Sequence, residues 1–191
     1  MYPLIRFARE VLSARRAPRL PPTGTHVSTH RCWPWDLDPW AELNNGRTLT
    51  LYDLGRIPMA IRLGITDTLR DRGWGFTVAG NSVRYRRRIR AMQRFTQVSR
   101  TIGWDARFLY MEQSMWIGGD CANHMLLRVA IVGGGRSGIV PPAEFMAALG
   151  HAGASPPLPD WVQAWIDADA ARPWPPGIGD VGADRTDDLP A

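Results

Sequence analysis

The chain has 191 residues, enough for one domain with extensions and too few for two full domains. Hydrophobic residues make up 45 % and charged residues 21 %, and no run approaches the roughly eighteen uninterrupted apolar residues that a membrane-crossing helix needs. The net charge is +5, and every basic residue is Arg, whose planar fork of donors suits phosphate.

A basic balance permits contact with nucleic acid or a membrane surface, but no nucleic-acid motif accompanies it, so no nucleic-acid partner is expected. Cys32 and Cys121 form neither a framework of bridges nor a metal-ligand spacing, and each reads as a small buried hydrophobe. Arg6, Arg9 and Glu10 interrupt the apolar residues of the first dozen positions. That is not the pattern of a secretory signal, and a cytoplasmic location is expected.

In chain order, residues 1–20 predict a short basic amphipathic helix, with Leu4, Ile5, Ala8, Val11 and Leu12 at helical spacing among arginines. It either docks on the domain or lies on a membrane surface. Pro18, Pro21, Pro22 and Gly24 then break the chain, so 1–24 is taken as helix and linker. Thr25 to Cys32 reads as a strand, and Trp33 to Pro39 as a turn-like stretch.

Asn44 and Asn45 are good helix starters, and Leu49, Leu51, Leu54, Ile57, Ile61 and Leu63 support a helix up to Gly64. Pro58 is expected to kink or restart it. A second short helix is predicted around Thr66 to Arg72. Four strand-like runs follow: Gly75 to Arg87, Phe95 to Trp104, Arg107 to Ile117 and Ala122 to Val132. Gly118-Gly119-Asp120 reads as a hairpin turn. Residues 25–140 therefore predict an α+β domain, one central helix against an antiparallel sheet. Helices opened by proline are expected within 141–172, and the Pro-, Gly- and Asp-rich 173–191 is expected to be a disordered tail.

The stretch from Asp36-Leu37-Asp38-Pro39 through Leu43-Asn44-Asn45-Gly46-Arg47 resembles the signature of hotdog-fold thioesterases of the 4-hydroxybenzoyl-CoA thioesterase type. Asp53 and Arg56 fall where that family carries an acidic residue and a helix arginine. Ser82 to Arg87, Gly103-Trp104-Asp105 and Phe108 to Gln113 are similar to its thioesterase superfamily member six subgroup. Two positions depart: Glu42 stands where the family commonly has His, and Ala41 where many members have Gly.

The resemblance implies a hotdog fold, a long helix wrapped by an antiparallel sheet, in a homodimer or dimer of dimers. It also implies hydrolysis of an acyl-CoA substrate without a cofactor. Asp38 matches the catalytic Asp, as general base or nucleophile; by itself it also reads as a cap on the following turn. Backbone N–H groups near Asn45 and Gly46 are implied as the oxyanion donors, and Asn44 or Asn45 also suits a plain N-cap.

Glu42 could hold a water, raise the pKa of Asp38, or face solvent. Arg84, Arg86, Arg88 and Arg90 alternate, so in a continuing strand they share one face suited to CoA phosphates; a solvated face is the alternative. Asn44 and Tyr52 join Arg84, Arg86 and Arg88 as expected substrate contacts. Asp53 and Arg56 are expected to pair along the helix.

The rival reading is a catalytically inactive hotdog acyl-binding or scaffold module held near a membrane by its N-terminal helix, favoured by Glu42 in place of His. A hotdog dehydratase needs an Asp and His pair near the central helix, and no His occurs between His30 and His124.

Overall fold

The computed structural model describes residues 2–133 and 138–176. Contacts divide the chain into two units, Met1–Pro157 and Leu158–Ala191. The first carries α1 (Leu4–Arg16), β1 (His26–Arg31), a single 3-10 turn (Pro34–Asp36), α2 (Asn45–Leu63) and α3 (Ile65–Arg72). It continues through β2 (Trp74–Tyr85), β3 (Arg94–Trp104), β4 (Leu109–Ile117), β5 (Asp120–Gly133), β6 (Ile139–Val140) and α4 (Pro142–Ala148). The second unit carries α5 (Asp160–Ala170). The tail expected to be disordered falls, beyond Pro176, outside the described residues.

All strand pairings are antiparallel, in the order β1-β3-β4-β5-β2, with β6 added against β5. The helix α2 lies on the sheet, and α1 packs against α2. This is the hotdog arrangement expected. Among the described residues no helix is long and apolar enough to cross a membrane.

The long helix begins where its sequence says it should. The Asn44 side chain accepts the Arg47 N–H at 3.0 Å, satisfying a first-turn donor, and Gly64 closes the helix at φ +80°. It runs through Pro58 without restarting. Leu51, Tyr52, Leu54, Pro58 and Met59 are buried, so packing rather than an unbroken hydrogen-bond ladder holds this stretch.

A Cβ on Gly55 would collide with the Gln97 amide and with Ser99 Oγ, which lets α2 approach β3 closely. The Nε2 groups of Gln97 and Gln113 each donate to the Tyr52 carbonyl at 2.9 Å. Met111, Met115, Met125, Leu127 and Val129 complete the apolar core beneath the helix.

Candidate functional site

The segment between β1 and α2 folds into a miniature hairpin. The Asn44 N–H donates to the Asp36 carbonyl at 3.0 Å, Leu37 bridges Leu43, and the Asp38 N–H donates to the Glu42 carbonyl at 2.8 Å. The turn is Asp38 to Ala41, closed by the Ala41 N–H on the Asp38 carbonyl at 3.1 Å, with Ala41 at φ +59°. A left-handed backbone favours glycine, which gives the family's preference at this position a physical reason. The returning strand pairs outward through the Leu43 N–H to the Ile89 carbonyl, 2.8 Å, and leads directly into α2.

Asp38 opens this turn, half-buried. Its Oδ1 accepts the Trp40 N–H at 2.9 Å and the Glu42 N–H at 3.3 Å. Oδ2 carries no hydrogen bond among the described residues. The side chain therefore caps its turn with one oxygen and leaves the other available.

Asp36, two residues earlier, is fully buried and is the anchor of the hairpin. Arg6 of α1 donates to both of its oxygens, Arg47 Nε donates to Oδ1 at 2.6 Å, and the Trp33 N–H donates to Oδ2 at 3.0 Å. Burial acts to raise its pKa, but the bonds from Arg6, the Trp33 amide and Arg47 outweigh that and hold it below its ordinary value. Neither the clamp nor its Arg6 partner was anticipated from the sequence. The available signal was local: Asp36 lies three residues after Trp33 with Pro34 between, a one-turn capping pattern.

Two cavities flank the start of α2. One, of about 220 Å³, is walled by Glu42, Asn45, Thr48, Tyr85 and the run Arg86 to Arg88. Here Arg88 Nε meets Glu42 Oε2 at 2.7 Å and Arg87 pairs with Asp120, while Arg86 forms no ion pair among the described residues. The other, of about 1110 Å³, is walled by the first turn of α1, the Trp33 and Trp35 rings, Leu37, Asn44 and Arg47. Trp35 stacks on Trp33 at 5.2 Å and is 69 % exposed, and Trp40 is 77 % exposed.

The structure thus brings Glu42, Asn45, Arg86 and Arg88 to one pocket. Asn44 caps the helix with its side chain, and Gly46 is the second residue of the first turn. Glu42 is ion-paired with Arg88 rather than turned to open solvent. The arginines do not share a strand face: β2 ends at Tyr85, because the Arg86 and Arg87 N–H groups both turn to the Ala122 carbonyl. Arg84 stays on β2 opposite His124, outside both cavities. Tyr52 is fully buried in the core, donates its hydroxyl to Asn123 Oδ1, and lines neither cavity. Asp53 and Arg56 pair along the helix as expected. Among the described residues no cluster of three or more His, Cys, Asp or Glu is placed to hold a metal ion.

Comparison with known proteins agrees with the fold. Protein THEM6 of Xenopus laevis is 34% identical over 80 residues, covering 42% of this chain and 39% of that protein. The chain spans about two fifths of the length of the curated relatives it matches, 39% and 43% for the first two. A thioesterase from Thermus thermophilus, solved with coenzyme A and zinc, superposes at a TM-score of 0.54 with 26% identity, covering 70% of this chain and 96% of that one. The DHNA-CoA thioesterase of Staphylococcus aureus shares the fold at a TM-score of 0.56 and 13% identity, covering 76% and 91% of the two chains. The model of one family, the thioesterase-like superfamily, matches residues 32–166, from the end of β1 through the signature hairpin, α2 and the sheet, and the chain belongs to that superfamily.

Proposed function

We propose that the protein is an acyl-CoA thioesterase, converting an acyl-CoA thioester and water to a free acid and CoA. The observation that carries this reading is Asp38: one carboxylate oxygen fixed by the Trp40 and Glu42 amides, the other unpaired, on a hairpin leading into the first turn of α2. The resemblance over Asp36 to Arg47, family membership and the nearby arginine pocket support it.

In this mechanism Asp38 Oδ2 accepts a proton from water as the water oxygen attacks the thioester carbon. The carbonyl electron pair moves to its oxygen, where the N–H groups of Asn45 and Gly46 stabilise it; the first amides of a helix have no partner within the helix. The intermediate collapses, the carbon–sulfur bond breaks, and the CoA thiolate takes the proton from Asp38. Direct attack by Oδ2, giving a mixed anhydride that water then opens, uses the same atom. Arg86 and Arg88 hold the CoA phosphates, with Arg84 at the margin, and no cofactor takes part.

The active form in this proposal is a homodimer, alone or paired into a tetramer. β2 is an edge of the sheet, 12 residues long, with Val78, Asn81, Ser82 and Arg84 along it, and an open edge of that length suits pairing with a second copy. Sedimentation at micromolar concentration tests this, a monomer mass contradicting it. A cytoplasmic location, and the division into an N-terminal helix, a domain over 25–140 and a C-terminal extension, belong to the same reading.

The test of function is CoA release, followed with a thiol reagent, from short-, long- and aromatic-chain acyl-CoAs. Release dependent on protein supports the reading. No release from any thioester by folded protein leaves the alternative, an inactive acyl-binding or scaffold module. The Glu42–Arg88 ion pair favours that alternative, because the position that is His in the family is here committed to an arginine.

A further inference from the structure

The cavity on the α1 side of the helix start has walls unlike those of the arginine pocket. Leu4 is 67% exposed and Ile5 89% exposed, and both line it together with Trp33, Trp35 and Leu37. Leu4, Ile5 and Trp35 stay largely uncovered by the described chain. Leaving several large apolar groups open to water is unfavourable in proportion to their area, so a groove of this kind marks a site for an apolar occupant. Its volume of about 1110 Å³ lies just above the usual span of small-molecule sites, roughly 300 to 1,000 Å³.

The groove is rigidly built. Arg6, next to Ile5 on the same turn, is locked to Asp36 at 2.7 and 2.9 Å and donates to the Arg31 carbonyl at 3.3 Å. Trp33 and Trp35 stack with their planes 2° apart. Asn44 and Arg47, the cap and third residue of α2, line the groove, and the neighbouring Asn45 and Thr48 of the same helix start line the arginine pocket. An apolar groove and an arginine-rich pocket therefore lie on adjoining sides of one helix start. Their complement is a molecule with an apolar tail, a carbonyl at the junction and a polyanionic head.

We propose that this groove, built by α1 and the Trp33–Trp35 stack, receives the acyl chain of a medium- or long-chain aliphatic acyl-CoA. The proposal rests on the thioesterase reading for its choice of ligand, and it assigns α1 a part in chain-length selection. The occupant is a single acyl chain delivered on CoA rather than a bilayer, because the same helix start that lines the groove through Asn44 and Arg47 lines the pocket of Arg86 to Arg88 through Asn45 and Thr48, and that pocket suits the phosphates of one bound molecule.

The experiment uses S-alkyl-CoA thioethers of increasing length, which carry no scissile ester, titrated calorimetrically into the full chain. For the wild type the affinity is expected to rise by roughly two- to fourfold per added methylene. Ile5→Glu and Trp35→Ala alter exposed side chains, and their folding is checked by circular dichroism. Each is expected to flatten that dependence to less than about twofold per methylene, with free CoA titrated as the internal reference. Wild-type affinity independent of chain length, or variants that keep the full dependence, would overturn the proposal. So would loss of binding to phosphatidylserine vesicles in Ile5→Glu with the alkyl-CoA dependence unmoved, which gives the face to a membrane. Because thioethers report binding alone, chain-length dependence without CoA release in the hydrolysis assay keeps the groove and removes the enzyme, and CoA release without such dependence does the reverse.

Discussion

Arg6 and Asp36, thirty residues apart, form a two-pronged ion pair: Nη2 to Oδ1 at 2.7 Å and Nη1 to Oδ2 at 2.9 Å, with the carboxylate wholly buried. Arg47 adds a second guanidinium at 2.6 Å, so one carboxylate ties α1 and the first turn of α2 to the hairpin that carries Asp38.

Removing one member of a buried charged cluster leaves the others unpaired, a cost of about 3–5 kcal/mol. Asp36→Asn is therefore expected to lower stability by about 3 kcal/mol in urea denaturation. Because its pKa is depressed in the fold, the contribution of Asp36 is complete above the unfolded carboxylate value, about 4, and is lost as pH falls through the lower folded value. The variant should lack that acid limb. A wild-type stability curve in acid matched by Asp36→Asn would contradict this.

Two buried histidines act in a different pH window. Burial, with Arg62 beside it, lowers His26 to about 4. Burial also lowers His30 to about 4, helped by Arg6, His26 and Arg9. Between the ordinary value near 6.5 and about 4 the unfolded chain binds protons that the fold excludes, so stability falls as pH falls. The slope is at most about 1.4 kcal/mol per pH unit for each histidine. The double variant His26→Gln, His30→Gln is expected to flatten the melting temperature over this window, whatever its absolute stability.

Ala41 holds a left-handed backbone at φ +59°, which costs a residue with a Cβ about 1–2 kcal/mol. Ala41→Gly is expected to stabilise the protein by about 1 kcal/mol, the glycine's greater freedom when unfolded offsetting part of the relief. Guanidinium denaturation checks the sign, and a less stable variant would show that the turn adopts another conformation.

In the proposed mechanism Arg86 and Arg88 meet phosphate rather than the reacting carbon. Arg86→Ala is expected to raise KM for an acyl-CoA about tenfold with little change in kcat, the loss of one charge-assisted hydrogen bond of about 1.5 kcal/mol. The penalty should shrink with a pantetheine thioester lacking the nucleotide. A selective fall in kcat would place Arg86 at the chemistry instead.

Much of this was legible because it is local. Caps and breakers mark their own positions: Asn44 and Gly64 bound α2 where the sequence puts them, and Gly118-Gly119 turns β4 into β5. The order of residues in the signature hairpin marked the family and the candidate site. Partners chosen by tertiary approach were not legible. Nothing near Asp36 names Arg6, and nothing near Glu42 names Arg88. The polar inward positions Gln97, Ser99 and Gln113 read as ordinary strand residues until Gly55 draws α2 onto them and the Tyr52 carbonyl accepts both amides. The alternation of arginines failed as a guide because Ala122 ends the strand before the second of them.

The most direct test is the rate of CoA release from a long-chain acyl-CoA by wild type and Asp38→Asn, with melting temperatures showing both folded. Asn keeps an oxygen for the Trp40 and Glu42 amides but cannot accept the proton, so the account predicts that kcat falls by about a hundredfold or more while the fold persists. An Asp38→Asn variant as fast as wild type would contradict the account at its centre.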